Sequence, residues 1–246
     1  MKKSILSTLT KILAVIFVAA EAMLFYMIHL SKVASSISLR YLSIQIAALF
    51  SILFFALKSA KRENSDKRPR GILIMLAMLS TLAADYFLVA IPEMKRMEGM
   101  ICFSATQLFI FLHLFFGEEN KVKRKAHLIV RAAATVMMAL TTLLVLGKSA
   151  DALAIISVIY YANLLTSMVF APLTKSGGTL LFVGLILFAL CDINVGLTVL
   201  SDLYGGDFPE GSLIHSILYS GVDLAWLFYL PSQTLIPLTI LRKEKA

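Results

Sequence analysis

Long apolar runs separated by short polar connections make up most of this chain. Each run is close to the roughly 20 residues that an α-helix needs to cross a bilayer. Backbone groups inside a bilayer must be hydrogen-bonded within the protein, as they are in a helix. The pattern therefore predicts an all-α polytopic membrane bundle of about eight helices, with residues 1–246 as a single transmembrane domain. The runs cover residues 11–31, 40–58, 71–91, 99–116, 127–146, 152–173, 178–200 and 213–240.

Composition supports a membrane protein and excludes an ordinary soluble domain. Hydrophobic residues form 59% of the chain and charged residues 15%, whereas soluble domains carry about 25% charged residues. The mean hydropathy is +0.85. The net charge of +8 does not indicate nucleic-acid binding, because the basic residues fall in the short connections. There they set the topology of the spans in the bilayer.

Lysine and arginine residues are concentrated in alternate connections. With the N-terminus placed inside, sixteen of them lie in inner segments and five in outer segments. Because basic loops stay on the cytoplasmic side, the bias predicts that both termini are cytoplasmic. We expect a multi-pass protein of the cell membrane. Arg131 lies within the fifth run, and we expect its side chain to extend along the helix to the membrane surface.

Two aspartates lie inside apolar runs that contain no lysine or arginine. Asp85 follows Gly71 by fourteen residues, and Asp192 follows Gly178 by the same interval. At about 1.5 Å per residue, each carboxyl is roughly 21 Å from the inner end of its helix, in the outer half of the bilayer. The equal depth, on the third span of each four-span half, is consistent with a parallel four-plus-four repeat.

A carboxyl at this depth costs roughly 2.5–3.5 kcal/mol on insertion scales and normally faces a bundle interior or a water-filled cavity. We therefore identify Asp85 and Asp192 as candidate catalytic residues. We expect them in one cavity, with their carboxyls within about 12 Å of each other, the range for a joint acid–base role. Gln107 and Gln233 are expected nearby. The alternative is that the aspartates only hydrogen-bond between helices.

Six further polar residues inside the spans are candidates for substrate binding. A single amide in a span is also a common hydrogen-bonding group between helices, so that alternative stays open for the amides. A carboxylate is harder to explain in this way, because its burial is more costly. Cys102 and Cys191 lie in apolar runs and are interpreted as packing residues, so no metal site or cofactor is expected. The six candidates are Glu21, Gln107, Tyr161, Asn163, Asp223 and Gln233.

Several short motifs follow one another in a characteristic order and spacing. They comprise Asp85 with its following apolar residues, Gly99, Phe103, Tyr161, Met168, Phe188, Asp192, Gln233, Leu235 and Ile236. This pattern resembles the YhhN family, which includes the membrane lysoplasmalogenases, and the resemblance covers the chain from about Gly71 onward. Gln107 stands where the family has a histidine, and Cys191 stands where it has a serine.

The resemblance implies a hydrolase that cleaves the vinyl-ether bond of lysoplasmalogens, giving a fatty aldehyde and a glycerophospho-alcohol. This reaction needs one protonated and one ionised carboxyl, and two carboxyls that share a low-dielectric site can hold different protonation states. Asp85 and Asp192 would then supply acid–base catalysis on a lysophospholipid drawn from the bilayer. Gln107, Tyr161, Asn163 and Gln233 would orient water or the glycerol backbone.

Two other classes of function remain open. Paired acids in the membrane also suit a proton-coupled small-molecule transporter. The small size and the absence of glycine- or proline-broken runs near the acids favour the hydrolase over this alternative. A catalytically inactive relative is the other alternative, because Gln107 replaces the family histidine.

Overall fold

The described residues are helical over nearly their whole length. A computed structural model describes residues 2–30, 37–60, 71–174, 177–203, 208–209, 212–218 and 222–242. Short 3-10 turns follow α5 at Gly147–Ser149 and α9 at Thr239–Leu241. The α-helices are α1 (Lys2–His29), α2 (Ile37–Ala60), α3 (Gly71–Asp85), α4 (Arg96–Gly117), α5 (Lys121–Leu146), α6 (Ala152–Phe170), α7 (Thr179–Leu203), α8 (Leu213–Leu218) and α9 (Leu224–Leu238).

Eight of these helical segments are long and apolar enough to cross a membrane. This confirms the predicted polytopic helical bundle and its eight spans. α1 and α5 begin earlier than the hydropathy pattern predicted, at Lys2 and Lys121, because charged residues extend each helix beyond the apolar run.

The prediction of one continuous span over residues 213–240 was wrong in its first third. The short helix α8 ends at Leu218, and α9 begins separately at Leu224. The Asp223 side chain accepts a hydrogen bond from the Trp226 N–H at 3.4 Å and caps α9. A carboxylate at a helix start satisfies an otherwise unpaired amide and interacts favourably with the helix dipole. Asp223 therefore marks a helix start, not a position within the span.

The helix that carries Asp85 changes its winding directly after this residue. Tyr86–Ala90 form a π-helical turn, in which the Ile91 N–H donates to the Tyr86 carbonyl at 3.3 Å. Such turns are rare and occur frequently at functional sites. Gly99 lets α4 approach this turn, since a Cβ there would lie 2.5 Å from Leu88 Cγ.

The helices pack as neighbouring pairs around a common core. α3 packs extensively on α4, and α7 on α9, while α2 contacts both α3 and α9. α6 contacts α4, α5 and α7. The pairs α1–α2, α2–α3, α3–α4 and α2–α9 have counterparts in α5–α6, α6–α7, α7–α9 and α6–α4, as a parallel repeat would produce. Among the described residues, the contact of α1 with α9 has no comparable counterpart between α5 and α4. α5 packs mainly on α6, and much of its remaining surface is exposed and apolar, as expected for contact with lipid.

Candidate active site

Asp85 is buried at the junction between α3 and its π-helical turn. Its side chain is 3% exposed. The Tyr229 hydroxyl of α9 donates a hydrogen bond to Asp85 Oδ2 at 2.5 Å. Tyr229 is itself 4% exposed, so the pair lies inside the bundle. The bond links α3 to α9, and a hydroxyl that donates to a buried carboxylate offsets part of its desolvation cost.

Asp192 has the same kind of partner on a different helix. The Tyr160 hydroxyl of α6 donates to Asp192 Oδ2 at 2.5 Å, which joins α6 to α7. Tyr160 is buried, whereas Asp192 is only partly buried. Tyr161, a predicted substrate-binding residue, is also partly buried and interacts electrostatically with Asp192.

Aromatic rings connect the two tyrosine–aspartate pairs. The Phe188 ring lies 5.5 Å from the Tyr229 ring and 5.8 Å from the Phe103 ring. Phe103 in turn lies 5.8 Å from Tyr160. Both tyrosine–aspartate pairs therefore border one aromatic cluster. The structure therefore brings both predicted aspartates into one centre formed by α3, α4, α6, α7 and α9.

Two glutamines lie one helical turn from this centre. Gln107 follows Phe103 on α4 by four residues, and Gln233 follows Tyr229 on α9 by four residues, so each shares a helix face with an aromatic ring of the centre. Both side chains are fully buried. Neither amide oxygen nor amide nitrogen of either residue has a hydrogen-bond partner among the described residues. Buried amides are normally paired, so these four atoms are available to a water molecule or a polar ligand.

Asn163 is hydrogen-bonded to Arg131, which the sequence analysis expected at the membrane surface. Its Oδ1 atom accepts a hydrogen bond from Arg131 Nη1 at 2.5 Å, and its Nδ2 atom donates to the Ile159 carbonyl at 2.7 Å. Arg131 is 7% exposed and turns towards α6. The expectation that Arg131 extends to the membrane surface was therefore wrong, because its hydrogen-bond acceptors lie on the neighbouring helix.

The two remaining candidates form pairs away from the tyrosine–aspartate centre. Glu21 of α1 is 3% exposed and accepts a hydrogen bond from the Ser43 hydroxyl of α2 at 2.5 Å. Asp223 forms an ion pair with Arg40 at 2.7 Å. The Arg40 guanidinium also lies 5.2 Å from the centre of the Trp226 ring. Each contact joins two helices, so both residues have an evident packing role.

An open cavity lies beside the π-helical turn that follows Asp85. Its volume is about 500 Å³. The Lys95 N–H donates to the Phe87 carbonyl at 3.0 Å and closes the loop that bounds it. The cavity lies at the end of the third span, and Asp85 is not among its lining residues. Its lining residues are Tyr86, Phe87, Ile91, Pro92, Glu93 and Lys95.

A sequence model of the YhhN family matches residues 36–239, which is most of the chain. The chain belongs to the YhhN family. No curated protein and no solved structure gives a significant match. The matched region contains both aspartates and both tyrosines of the centre. In this YhhN protein, no group of three His, Cys, Asp or Glu side chains within the described residues is arranged to hold a metal ion.

Sequence analysis missed the two tyrosines that bond the aspartates. Tyr229 was not among the predicted candidates. At Tyr160–Tyr161 the family pattern selected Tyr161, but Tyr160 bonds Asp192. Adjacent residues on an α-helix point about 100° apart, so the choice depends on how α6 is rotated in the bundle.

Proposed function

We propose that this YhhN protein is an integral membrane hydrolase that cleaves the vinyl-ether bond of lysoplasmalogens. The observation that supports this most directly is the pair of carboxyls, Asp85 and Asp192, each bonded by a tyrosine that borders the same aromatic cluster inside the bundle. Family membership supports it further, since the YhhN family includes lysoplasmalogenases. The substrate would be a lysophospholipid and the products a fatty aldehyde and a glycerophospho-alcohol.

The reaction proceeds by proton transfers that two carboxyls can perform. A protonated carboxyl donates its proton to the β-carbon of the vinyl ether, and the resulting oxocarbenium ion is stabilised by the second, ionised carboxyl. That carboxylate then accepts a proton from water as the water adds to the cation. In the hemiacetal so formed, the first carboxyl, now ionised, takes the hydroxyl proton while the bond to the glycerol oxygen breaks. The glycerol oxygen takes the proton held by the second carboxyl, the aldehyde leaves, and both carboxyls return to their starting states.

Burial distinguishes the two carboxyls and assigns their roles. The attacking water must reach the base, and Asp192 is the more exposed of the two. We therefore assign Asp192 as the base and Asp85 as the proton donor. The unpaired amides of Gln107 and Gln233 are suited to hold the water or a glycerol hydroxyl, since each can both donate and accept hydrogen bonds.

Aldehyde release tests this proposal directly. The purified full-length protein in detergent or nanodiscs should release a fatty aldehyde from a 1-alkenyl lysophospholipid with a metal chelator present. A saturated 1-alkyl ether of the same headgroup is the matched control, because it has no double bond to protonate. A well-folded protein that releases no aldehyde from any alkenyl headgroup would contradict the proposal and favour an inactive family member or a transporter.

One observation favours proton-coupled transport as a second candidate. The two helices that carry the Asp85–Tyr229 pair are irregular. α3 becomes π-helical after Asp85, and α9 contains Pro231 and Pro237. Irregular helices at membrane acids are a feature of secondary transporters. A solute flux into liposomes that depends on a pH gradient, without aldehyde release, would establish this candidate over the hydrolase.

The orientation of the bundle is part of the proposal. The concentration of basic residues in alternate connections favours a cytoplasmic location for both termini. A C-terminal fusion to a reporter that is active only outside the cytoplasm should therefore be inactive. A fusion to a cytoplasmic reporter, the matched control, should be active. The opposite result would place the two aspartates in the inner half of the membrane.

A further inference from the structure

A second polar centre lies between α4, α5 and α6, separate from the two aspartates. Arg131 Nη1 donates to the Asn163 carbonyl at 3.2 Å and to its side chain. Arg131 Nη2 donates to Ser167 Oγ at 2.9 Å and lies 3.0 Å from His127 Nε2. Arg131 and His127 are 7% and 1% exposed. The guanidinium also lies 4.4 Å from the centre of the Phe111 ring.

This centre has more hydrogen-bond donors than acceptors. Arginine has no acceptor, so His127 must accept through Nε2 and therefore carries its proton on Nδ1. His127 Nδ1 and Arg131 Nε have no hydrogen-bond partner among the described residues. Both unpaired atoms are N–H donors, and both are buried. The unmet requirement is therefore specifically for an acceptor.

The centre also carries a positive charge that no described carboxylate balances. Within the described part of the chain, Arg131 is bonded only by neutral groups and forms no ion pair. A buried charge is costly unless it is paired, and a charged residue in a membrane span is a default candidate for function. A water molecule would pair the donors and leave the charge, whereas an anion would do both.

The surface above the centre favours an anion as the ligand. α5 begins with four basic residues within five positions, and its first turn contains no acid. Cations at a helix start are unfavourable because the helix dipole is positive there. His127 lies about 9 Å along the helix from Lys121, and the Arg131 side chain leans back towards that end. The four basic residues therefore lie beyond the buried site, at the end of α5 towards which the guanidinium leans.

We propose that Arg131 and His127 form a binding site for a phosphate oxyanion, supplied by an anionic lipid headgroup or by free phosphate. A phosphate oxygen accepts from Arg131 Nε and His127 Nδ1, the two unpaired donors. A guanidinium is well suited to phosphate because of its planar set of donors. The site lies on α5 and α6, and its occupancy does not depend on whether the Asp85–Asp192 centre is a hydrolase.

Ligand-dependent thermal stability tests the site in the full-length protein. In nanodiscs of phosphatidylcholine, the addition of phosphatidic acid should raise the melting temperature if a lipid headgroup is the ligand, because a ligand that binds the folded state stabilises it. If free phosphate is the ligand, inorganic phosphate should raise the melting temperature relative to chloride at equal ionic strength. An unchanged melting temperature with both sources would overturn the proposal.

Two substitutions on α5 separate the buried site from surface charge. Arg131→Gln should weaken the apparent affinity for the effective phosphate source about tenfold or more, since charge-assisted hydrogen bonds are lost. Arg124→Gln is the matched control: it removes the same charge from the same helix, where Arg124 lies over the Phe115 ring at 4.4 Å. Its affinity should stay within about twofold of wild type.

For each variant, we compare the rise in melting temperature that the phosphate source causes, not the melting temperature without it. A variant that is less stable on its own is therefore not counted as one that binds less phosphate. Should Arg131→Gln fail to fold, His127→Gln serves instead. It keeps an acceptor for the guanidinium and removes the Nδ1 donor, and it should weaken phosphate binding severalfold. Equal losses in Arg131→Gln and Arg124→Gln, or full binding in His127→Gln, would show that surface charge alone attracts the phosphate.

Discussion

Asp85 and Asp192 have equivalent hydrogen bonds in different surroundings. Each accepts from a tyrosine hydroxyl at 2.5 Å. Asp85 lies where α3 changes to a π-helical turn, whereas Asp192 lies in the interior of the α-helix α7. Asp85 is 3% exposed, and Asp192 is only partly buried. The difference is therefore one of burial and local backbone, not of partner chemistry.

Neighbouring residues explain this difference in burial. On the Asp85 side, the Trp226 ring lies 5.3 Å from the Tyr229 ring and is covered by the Arg40 guanidinium, which the Asp223 ion pair holds. The chain beyond Asp192 has exposed side chains at Ile193 and Val195. A shielded carboxyl is suited to deliver a proton to carbon, and an accessible one is suited to activate water.

The largest expected effect is the loss of either carboxyl. Asp85→Asn and Asp192→Asn should each lower aldehyde release about 10²–10⁴-fold, because an amide has nearly the same volume but supplies neither the proton nor the charge. The double variant should be scarcely slower than either single variant, since the two groups act as a unit. Initial rates of aldehyde release at saturating lysoplasmalogen measure this.

Asp151→Asn is the matched control for these variants. Asp151 is exposed and caps α6, the helix that carries Tyr160, by accepting from the Ala154 N–H at 2.7 Å. Asparagine is an equally good cap, so activity should not change. Full activity in either Asp85→Asn or Asp192→Asn would rule out the paired-carboxylate mechanism.

The spans and the two aspartates were predictable from sequence because both depend on local composition. A run of apolar residues fixes the existence of a membrane helix whatever its neighbours are, and a carboxyl within that run is conspicuous. The equal intervals from Gly71 to Asp85 and from Gly178 to Asp192 further indicated equal depth. Five of the eight predicted spans changed by at most three residues at either end, whereas α1 and α5 begin nine and six residues earlier than predicted.

The partners of these residues were not predictable, because they depend on helix rotation. Sequence analysis selected Tyr161, but the rotation of α6 turns Tyr160 towards Asp192. Arg131 was expected at the membrane surface, but Asn163 and Ser167 on α6 hold it inside the bundle. Asp223 was placed within a span because its capping role depends on where α9 begins.

Removal of the tyrosine hydroxyls gives a smaller effect that compares the two pairs directly. Tyr229→Phe and Tyr160→Phe should each lower aldehyde release about tenfold, the usual cost of one hydrogen bond to a charged group. Tyr229→Phe should lower thermal stability more, because Asp85 is left buried without its donor, whereas the partly exposed Asp192 can bond to water. Thermal unfolding and initial rates are measured on the same preparations.

Tyr26→Phe is the control for the tyrosine variants, because Tyr26 on α1 is 57% exposed. It should change neither property. Equal losses of stability in Tyr229→Phe and Tyr160→Phe would mean that the two carboxyls have the same access to water. The assignment of Asp85 as proton donor and Asp192 as base would then lose its support.

The smallest expected effect is that of replacing the two buried glutamines, each of which is associated with a different tyrosine–aspartate pair. Gln233 follows Tyr229, the partner of Asp85, and Gln107 follows Phe103, which contacts the partner of Asp192. Replacing a buried, unpaired amide by leucine removes a desolvation cost, so Gln107→Leu and Gln233→Leu should be neutral or slightly stabilising. Both should still lower aldehyde release about three- to tenfold, because they remove a hydrogen-bonding group that orients water or substrate. The loss should be greater in Gln107→Leu, since water is activated on the Asp192 side.

Gln45→Leu, at an exposed position on α2, is the control and should leave the rate unchanged. If both glutamine variants gained stability and kept full activity, the amides would have no part in the reaction, and the water would have to be positioned by Asp192 and Tyr161.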